Sequence, residues 1–189
     1  MADKRPAIGL DLDGVCAQFS PKFIQMANKE FGLNLKPEDQ TDWDFHSLGL
    51  TEAQCGVIYN QIHEYENFWM KLDPMPFTSA LSAEMDKYRI YFITSRMSAP
   101  GLPLEDQTAH WIRTQFYIPN PTVIVTNNKG EVAKALELDY FLDDRPENCL
   151  DVIQKSYAMI WLHDAPYNQT STYRRAKTLN EFFSKIGGL

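Results

Sequence analysis

The spacing of apolar residues changes period several times along this chain, and the changes outline its architecture. Ile8, Leu10, Leu12 and Val15 around Gly9 suit a short buried strand of a parallel sheet. Residues 21–31 switch to helical spacing, with Phe23, Ala27 and Phe31 on one face, a proline early and Gly32 as the stop. Residues 34–47 are irregular and carry Trp43 and Phe45. Thr51-Glu52-Ala53-Gln54 then forms a capping box for a helix running to about Asn67, striped by Val57, Ile58, Ile62 and Tyr65. After a returning segment, 68–76, helix and strand alternate. The pattern predicts helices over 79–88, 104–116, 131–138 and 146–155, and strands over 89–94, 122–126, 140–143 and 157–162.

Strands separated by helices predict an α/β fold, an open parallel Rossmann-like sheet with helices on both faces. Residues 20–76 interrupt the alternation and read as a small helical cap inserted after strand 1, the core being 1–19 and 77–189. Such a cap would cover the carboxyl ends of the strands, where ligands bind in open sheets.

Composition narrows the class. The chain has 189 residues, 44% of them hydrophobic and 13% aromatic, with no repeat or low-complexity tract, as expected of one folded domain with an insertion. No apolar run approaches membrane-spanning length, and residues 1–6 lack an apolar signal core, so a cytoplasmic location is expected. Cys16, Cys55 and Cys149 show no metal-ligand spacing and are expected to be reduced thiols. A net charge of −7 argues against a protein that grips long nucleic acid, but allows a small phosphorylated substrate where local cations reverse the field. A homodimer is compatible with this composition.

Candidate chemistry sits at the strand ends. Asp11 and Asp13 close the first strand, and two carboxylates there tolerate burial only with a cation or a shared proton. Asp-x-Asp-Gly also occurs in calcium loops, but Leu12 fills a position such a loop keeps polar. The later strands end in Thr94-Ser95-Arg96, Asn127-Asn128-Lys129 and Asp143-Asp144-Arg145. Taken singly, each has a plainer structural use as a cap, a turn or a solvated lysine. Several carboxylates, a hydroxyl and a lysine converging on one crevice suit phosphoryl transfer through an aspartyl-phosphate, with Mg²⁺ as the fitting cation.

These residues resemble the haloacid-dehalogenase-like (HAD) phosphohydrolases: DLDGV at 11–15, the apolar run ending in Thr94, a lysine before a helix, and FLDD at 141–144. Within that superfamily the chain is most similar to the 5'(3')-deoxyribonucleotidases, through DLDGVCAQF with Phe19, Thr94-Ser95, Asp143-Asp144-Arg145-Pro146, and an aromatic cap ending in Phe-Trp-x-x-Leu-x-Pro-x-Pro. The resemblance implies Asp11 as nucleophile and Asp13 as the acid and then the base. It implies Mg²⁺ held by the Asp11 carboxylate, the Asp13 backbone carbonyl and Asp143, with Asp144 a ligand through water or an orienter, and a phosphoryl group held by Thr94, Ser95 and Lys129. Lys134 competes for the lysine role, but falls mid-helix, which favours Lys129.

Phe19, Trp43, Phe45, Phe68 and Trp69 are candidates for stacking on a nucleobase, against the plainer reading that they form the cap's own core. Arg96 and Arg145 are further substrate-binding candidates, Arg96 for a second phosphate or for an acid of the cap. Phe77-Thr78-Ser79-Ala80 and Arg96 depart from the family pattern, and the departure bears on the substrate pocket. The implied activity is Mg²⁺-dependent hydrolysis of nucleoside monophosphates. The alternatives are a 3'-phosphatase on nucleic-acid ends, a sugar-phosphate phosphatase, and a non-catalytic nucleotide-binding protein.

Overall fold

A computed structural model describes residues 3–76 and 81–188. The Phe77–Ala80 departure, and part of the helix expected over 79–88, fall outside them. The sheet is built from β1 (Ala7–Leu10), β2 (Arg89–Thr94), β3 (Thr122–Val125), β4 (Tyr140–Asp143), β5 (Met159–His163) and β6 (Arg175–Ala176), all parallel, in the order β3-β2-β1-β4-β5-β6. The helices are α1 (Phe19–Phe31), α2 (Glu52–Glu64), α3 (Leu81–Glu84), α4 (Leu104–Phe116), α5 (Lys129–Ala135), α6 (Pro146–Lys155) and α7 (Leu179–Ile186). The two-residue β6 and α7 were not anticipated from the pattern.

Strand alternation divides the core into two layers. Ile8, Leu10, Phe92, Leu142 and Trp161 face one cluster, completed by Trp111 of α4, Phe182 of α7 and the buried side of α1 and α2. Ala7, Ile93, Phe141, Ile160 and Leu162 face the other, against Ala133 of α5 and Val152 of α6. Both faces are therefore covered, which is why the central strands read as almost unbroken apolar runs.

The order of strands places a switch point at β1. The chain runs outward from β1 to β2 and β3, then crosses back to lay β4 on the other side of β1. Residues beyond the carboxyl ends of β1 and β4 line the resulting crevice, the position where open α/β sheets bind ligands.

Residues 19–76, between β1 and α3, hold α1, α2 and single 3₁₀ turns. Gly32 ends α1 with φ 64°, a left-handed conformation that glycine adopts without strain. The capping box of α2 is present, Thr51 Oγ1 accepting from the Gln54 backbone while Gln54 Oε1 accepts from the Thr51 N–H. The segment's two connections are tied together: Gln18 N donates to Asp73 O at 2.9 Å and Met75 N to Cys16 O at 2.7 Å. Its far end is fastened to the loop after β2, with Trp69 Nε1 on Met97 O, Asn67 N on Pro100 O, Leu102 N on Asn67 Oδ1 and His63 Nδ1 on Ser98 O. The three cysteines are free and buried.

His163, at the end of β5, is 3% exposed, and burial holds its pKa down at about 4 against an ordinary 6.5, with Asp164 and Glu181 pulling weakly the other way. The unfolded chain therefore binds a proton there between about pH 4 and 6.5 that the folded chain refuses, so this contribution is complete above that window and is lost as pH falls through it. We expect His163→Gln to flatten the acid side of the stability profile by on the order of 3 kcal/mol between pH 7.5 and 4, measured by urea unfolding.

Candidate active site

Asp11 follows β1 directly, its N–H still bonded to Leu142 O of β4 at 2.9 Å. There the strand stops. The Leu12 carbonyl accepts from the N–H groups of Val15, Cys16 and Ala17, turning the chain so that Asp13 leaves the strand. Asp11 and Asp13 still border one cavity, but their carboxylates meet different cations, Lys129 and Arg96. Gly14 takes φ 90°, and a Cβ there would collide with the Asp144 carboxylate and crowd the Tyr167 hydroxyl.

Lys129 opens α5, is 2% exposed, and donates to Asp11 Oδ1 and, at 2.7 Å, to Asp143 Oδ2. Lys134 lies elsewhere, beside Glu137 and Tyr157 on the opposite surface of α5. Asp143 is fully buried at the end of β4, and its Oδ1 accepts from the Arg145 N–H at 2.9 Å and from Asn148 Nδ2 at 3.0 Å. Asp144 accepts from the Tyr167 hydroxyl through Oδ2, while its buried Oδ1 has no partner among the described residues.

Carboxylate oxygens of Asp11, Asp143 and Asp144 lie within 4.8 Å of one another. Burial pushes the Asp11 pKa up to about 7, with Asp143 and Asp13 adding to the rise and Lys129 opposing it. Burial likewise raises Asp144 well above the usual carboxylate range, helped by Asp143 and Asp11. For Lys129 burial disfavours the charge, but Asp11 and Asp143 outweigh it and keep the ammonium protonated. Three clustered carboxylates against one ammonium leave a negative surplus, and an unspent buried oxygen faces it. A divalent, oxygen-loving cation fits that donor set. Asp13 is not among the gathered carboxylates, and only its backbone carbonyl remains for the metal role the family resemblance implies.

Above this cluster opens a cavity of about 420 Å³, bounded by Asp11, Asp13, Ser95, Lys129 and Asp144 below and by Phe19, Trp43, Tyr59, His63, Trp69 and Met97 around. Phe19 stacks between Trp43, at 6.4 Å, and Trp69, at 5.9 Å. Phe45 and Phe68 correct the expectation of five stacking aromatics. Phe45 is wholly buried against Phe23, ring centroids 4.0 Å apart, and Phe68 is wholly buried edge-on to Trp69; neither borders the cavity. Both belong to the core of the helical segment.

Arg145 lines the cavity 5.0 Å over Trp43, its Nε unbonded and its nearest acid, Glu147, 3.6 Å away. Arg96 also borders the cavity, and the acid it pairs with is Asp13, at 2.8 and 2.9 Å, rather than an acid of the helical segment. Ser95 reaches the cavity but donates its hydroxyl to Thr126 O. Thr94 is buried, does not border the cavity, and keeps an unpaired Oγ1 among the described residues. Tyr59, His63, Asn148 and Tyr167 were missed from sequence. Tyr59 and His63 sit one turn apart on α2, a spacing that was legible, whereas Tyr167 lies in a 3₁₀ turn with no periodic signal.

The fold defines the class. A haloacid dehalogenase-like family hydrolase from Streptococcus pneumoniae aligns over 96% of this chain and 98% of its own, with a TM-score of 0.60 and 13% identity. A HAD family hydrolase from Deinococcus radiodurans, solved with bound phosphate and sodium, aligns over 97% and 96%, with a TM-score of 0.61 and 10% identity. Residues 5–186 match the family described as 5' nucleotidase, deoxy (pyrimidine), cytosolic type C, and the chain belongs to that family. It is a phosphomonoester hydrolase. Among its relatives are a candidate nucleotidase of Halalkalibacterium halodurans, 25% identical over 95% of this chain and 90% of that one, and a candidate 5'(3')-deoxyribonucleotidase of Chlorobaculum tepidum, 25% identical over 78% and 74%.

Removing the Lys129 ammonium leaves Asp11 and Asp143 facing each other without a counter-charge. We expect Lys129→Met to lower stability by about 3–5 kcal/mol in chelator, read by urea denaturation, and saturating divalent cation to restore part of the loss.

Proposed function

We propose that the chain is a Mg²⁺-dependent 5'-nucleotidase that hydrolyses deoxyribonucleoside monophosphates through a phosphorylated Asp11. The observation that carries the reading is the Asp11–Asp143–Asp144 cluster, bridged by Lys129, on the floor of an aromatic-walled cavity. Spontaneous phosphomonoester hydrolysis is slow enough to need accelerations approaching ~10²¹, while a positioned acid or base supplies about 10²–10⁴. A covalent nucleophile and fixed positive charge have to carry the remainder.

Asp11 attacks phosphorus as the ester oxygen departs, and Asp13 gives that oxygen its proton. Asp13 then takes a proton from the water that attacks the phosphorylated Asp11, so one carboxyl serves both halves in opposite protonation states. Lys129 opposes the rise in the Asp11 pKa that burial and the neighbouring acids cause, and places positive charge beside the transferring group. Asp11, Asp143, Asp144 and the Asp13 carbonyl are the proposed ligands of Mg²⁺, which when bound neutralises phosphoryl oxygens. Ser95, which borders the cavity, and the buried Thr94, whose hydroxyl has no partner among the described residues, are the proposed phosphoryl contacts.

Residues 20–76 are proposed to act as a cap over the crevice, supported by the two connections tied to each other at 16–18 and 73–75. Phe19, Trp43 and Trp69 offer the base a stacking surface, and Arg145, in a loose 3.6 Å ion pair with Glu147, a cation beside it. The deoxyribose preference follows the family description rather than a contact in the cavity.

The test is phosphate release from a panel of ribo- and deoxyribonucleoside 5'- and 3'-monophosphates and sugar phosphates, with Mg²⁺ or EDTA. We expect Mg²⁺-dependent turnover of deoxynucleotides, at least ~10³-fold lower in Asp11→Asn. Turnover of sugar phosphates alone would replace the proposed substrate, and silence on every ester would overturn the reading. Trp43→Ala is expected to raise KM for nucleotides roughly 5–150-fold, the equivalent of about 1–3 kcal/mol of stacking, with kcat little changed. Tyr167→Phe, which frees Asp144, is expected to weaken Mg²⁺ binding about 10–100-fold by calorimetry.

A further inference from the structure

Arg96 borders the cavity beside Asp13, and its setting is unusual. It lies just past β2 with its side chain wholly shielded from solvent, where a guanidinium survives only with its N–H groups used. Nε donates to Asp13 at 2.9 and 3.2 Å, Nη2 donates at 2.8 Å, and Nη1 reaches Thr108 Oγ1 at 3.3 Å. Its central carbon stands 4.7 Å from the Trp69 ring and 5.6 Å from the Trp111 ring. Both indoles are pinned in turn, Trp69 by its N–H on Met97 O and Trp111 by its N–H on Leu72 O.

We propose that Arg96 is the positioning residue for Asp13, holding its carboxyl toward the reacting ester while Lys129 holds Asp11. The inference rests on the reading of Asp13 as proton donor and acceptor. Among the described residues Arg96 is the sole side-chain partner of the Asp13 carboxylate. Without it, a short side chain on a turn and beside three other acids has nothing to fix its rotamer. In the first half-reaction the bond from phosphorus to the ester oxygen breaks as the bond to Asp11 forms, and the departing oxygen takes the Asp13 proton. In the second, water bonds to phosphorus, the bond to Asp11 breaks, and the water's proton goes to Asp13. A fork locked between two pinned indoles keeps one carboxyl oxygen on that line through both events. The planar fork matters as well as the charge, because a lysine ammonium is a point charge that cannot set the plane of a carboxylate.

The distinguishing readout is dependence on the leaving group. An alkoxide from a nucleotide needs a proton to leave, and p-nitrophenolate does not. We compare kcat/KM for a deoxyribonucleoside 5'-monophosphate and for p-nitrophenyl phosphate, with Mg²⁺, in wild type, Arg96→Lys, Arg96→Gln, Asp13→Asn and the Arg96→Lys/Asp13→Asn double variant. The second Arg96 variant keeps an N–H donor should the first fail to fold, and melting temperature reports folding for each. The expected result for a folded Arg96 variant is a loss of about 100-fold on the nucleotide and at least tenfold less on the aryl ester, with the double variant no worse on the nucleotide than Asp13→Asn alone. Equal losses on the two esters, or losses that add to that of Asp13→Asn, would overturn the positioning role while leaving the nucleotidase reading intact. A wild type silent on both esters would overturn that reading and this inference with it.

Discussion

Everything at the centre of this molecule follows from carboxylates crowded where β1 and β4 part. Asp11, Asp143 and Asp144 gather there with Asp13 close by, and a low-dielectric crevice cannot hold such acids ionised without cations. The chain supplies two cations from within and gives each its own client. Lys129 lies across Asp11 and Asp143, and Arg96 takes Asp13. The division matters chemically, because acids sharing one cation would compete for it, whereas separate partners let neighbouring carboxyl groups keep different roles a few ångströms apart.

The surroundings enforce that division by packing. Trp69 belongs to the segment after α2, Trp111 to α4 and Thr108 to α4, so the Arg96 site draws on both the helical segment and the sheet's covering helix. The helical segment after β1 is not loosely attached: its two ends are bonded to each other, and it is bonded again along the loop after β2. One wall of the cavity is thereby fixed to the sheet, while residues 32–50, with short 3₁₀ turns and many exposed side chains, have fewer such ties.

Much of this was legible in the chain because it depends on local signals. The strand over 89–94 and the helix over 146–155 match to the residue, the first a compact apolar run and the second opened by Pro146. Asp11, Asp143 and Lys129 each terminate or follow such a run, so their convergence followed from topology. What was not legible depended on contacts between distant residues. Nothing in the spacing distinguishes Phe45, stacked on Phe23, from Trp43, which borders the cavity two residues earlier. Arg96 beside Asp13, 83 positions away, could be known only from the fold. Helix α7 is a different case: Thr178 caps it by accepting from the Glu181 N–H, and the Thr-x-x-Glu signature with Phe182, Phe183 and Ile186 was there to be read.

Trp69 carries two duties at once, since one side of it borders the substrate cavity and its ring also backs Arg96. A change there that alters which molecules fit also disturbs the arm that orients Asp13. Trp43, Tyr59 and His63 border the same cavity without a direct hydrogen bond or ring contact to Arg96 among the described residues, so an exchange there removes no direct contact of that arm. Substrate range in such an enzyme is free to drift along the α2 and Trp43 side, and is frozen on the Trp69 side, so the direction in which this pocket can diversify is set by which wall also supports the chemistry.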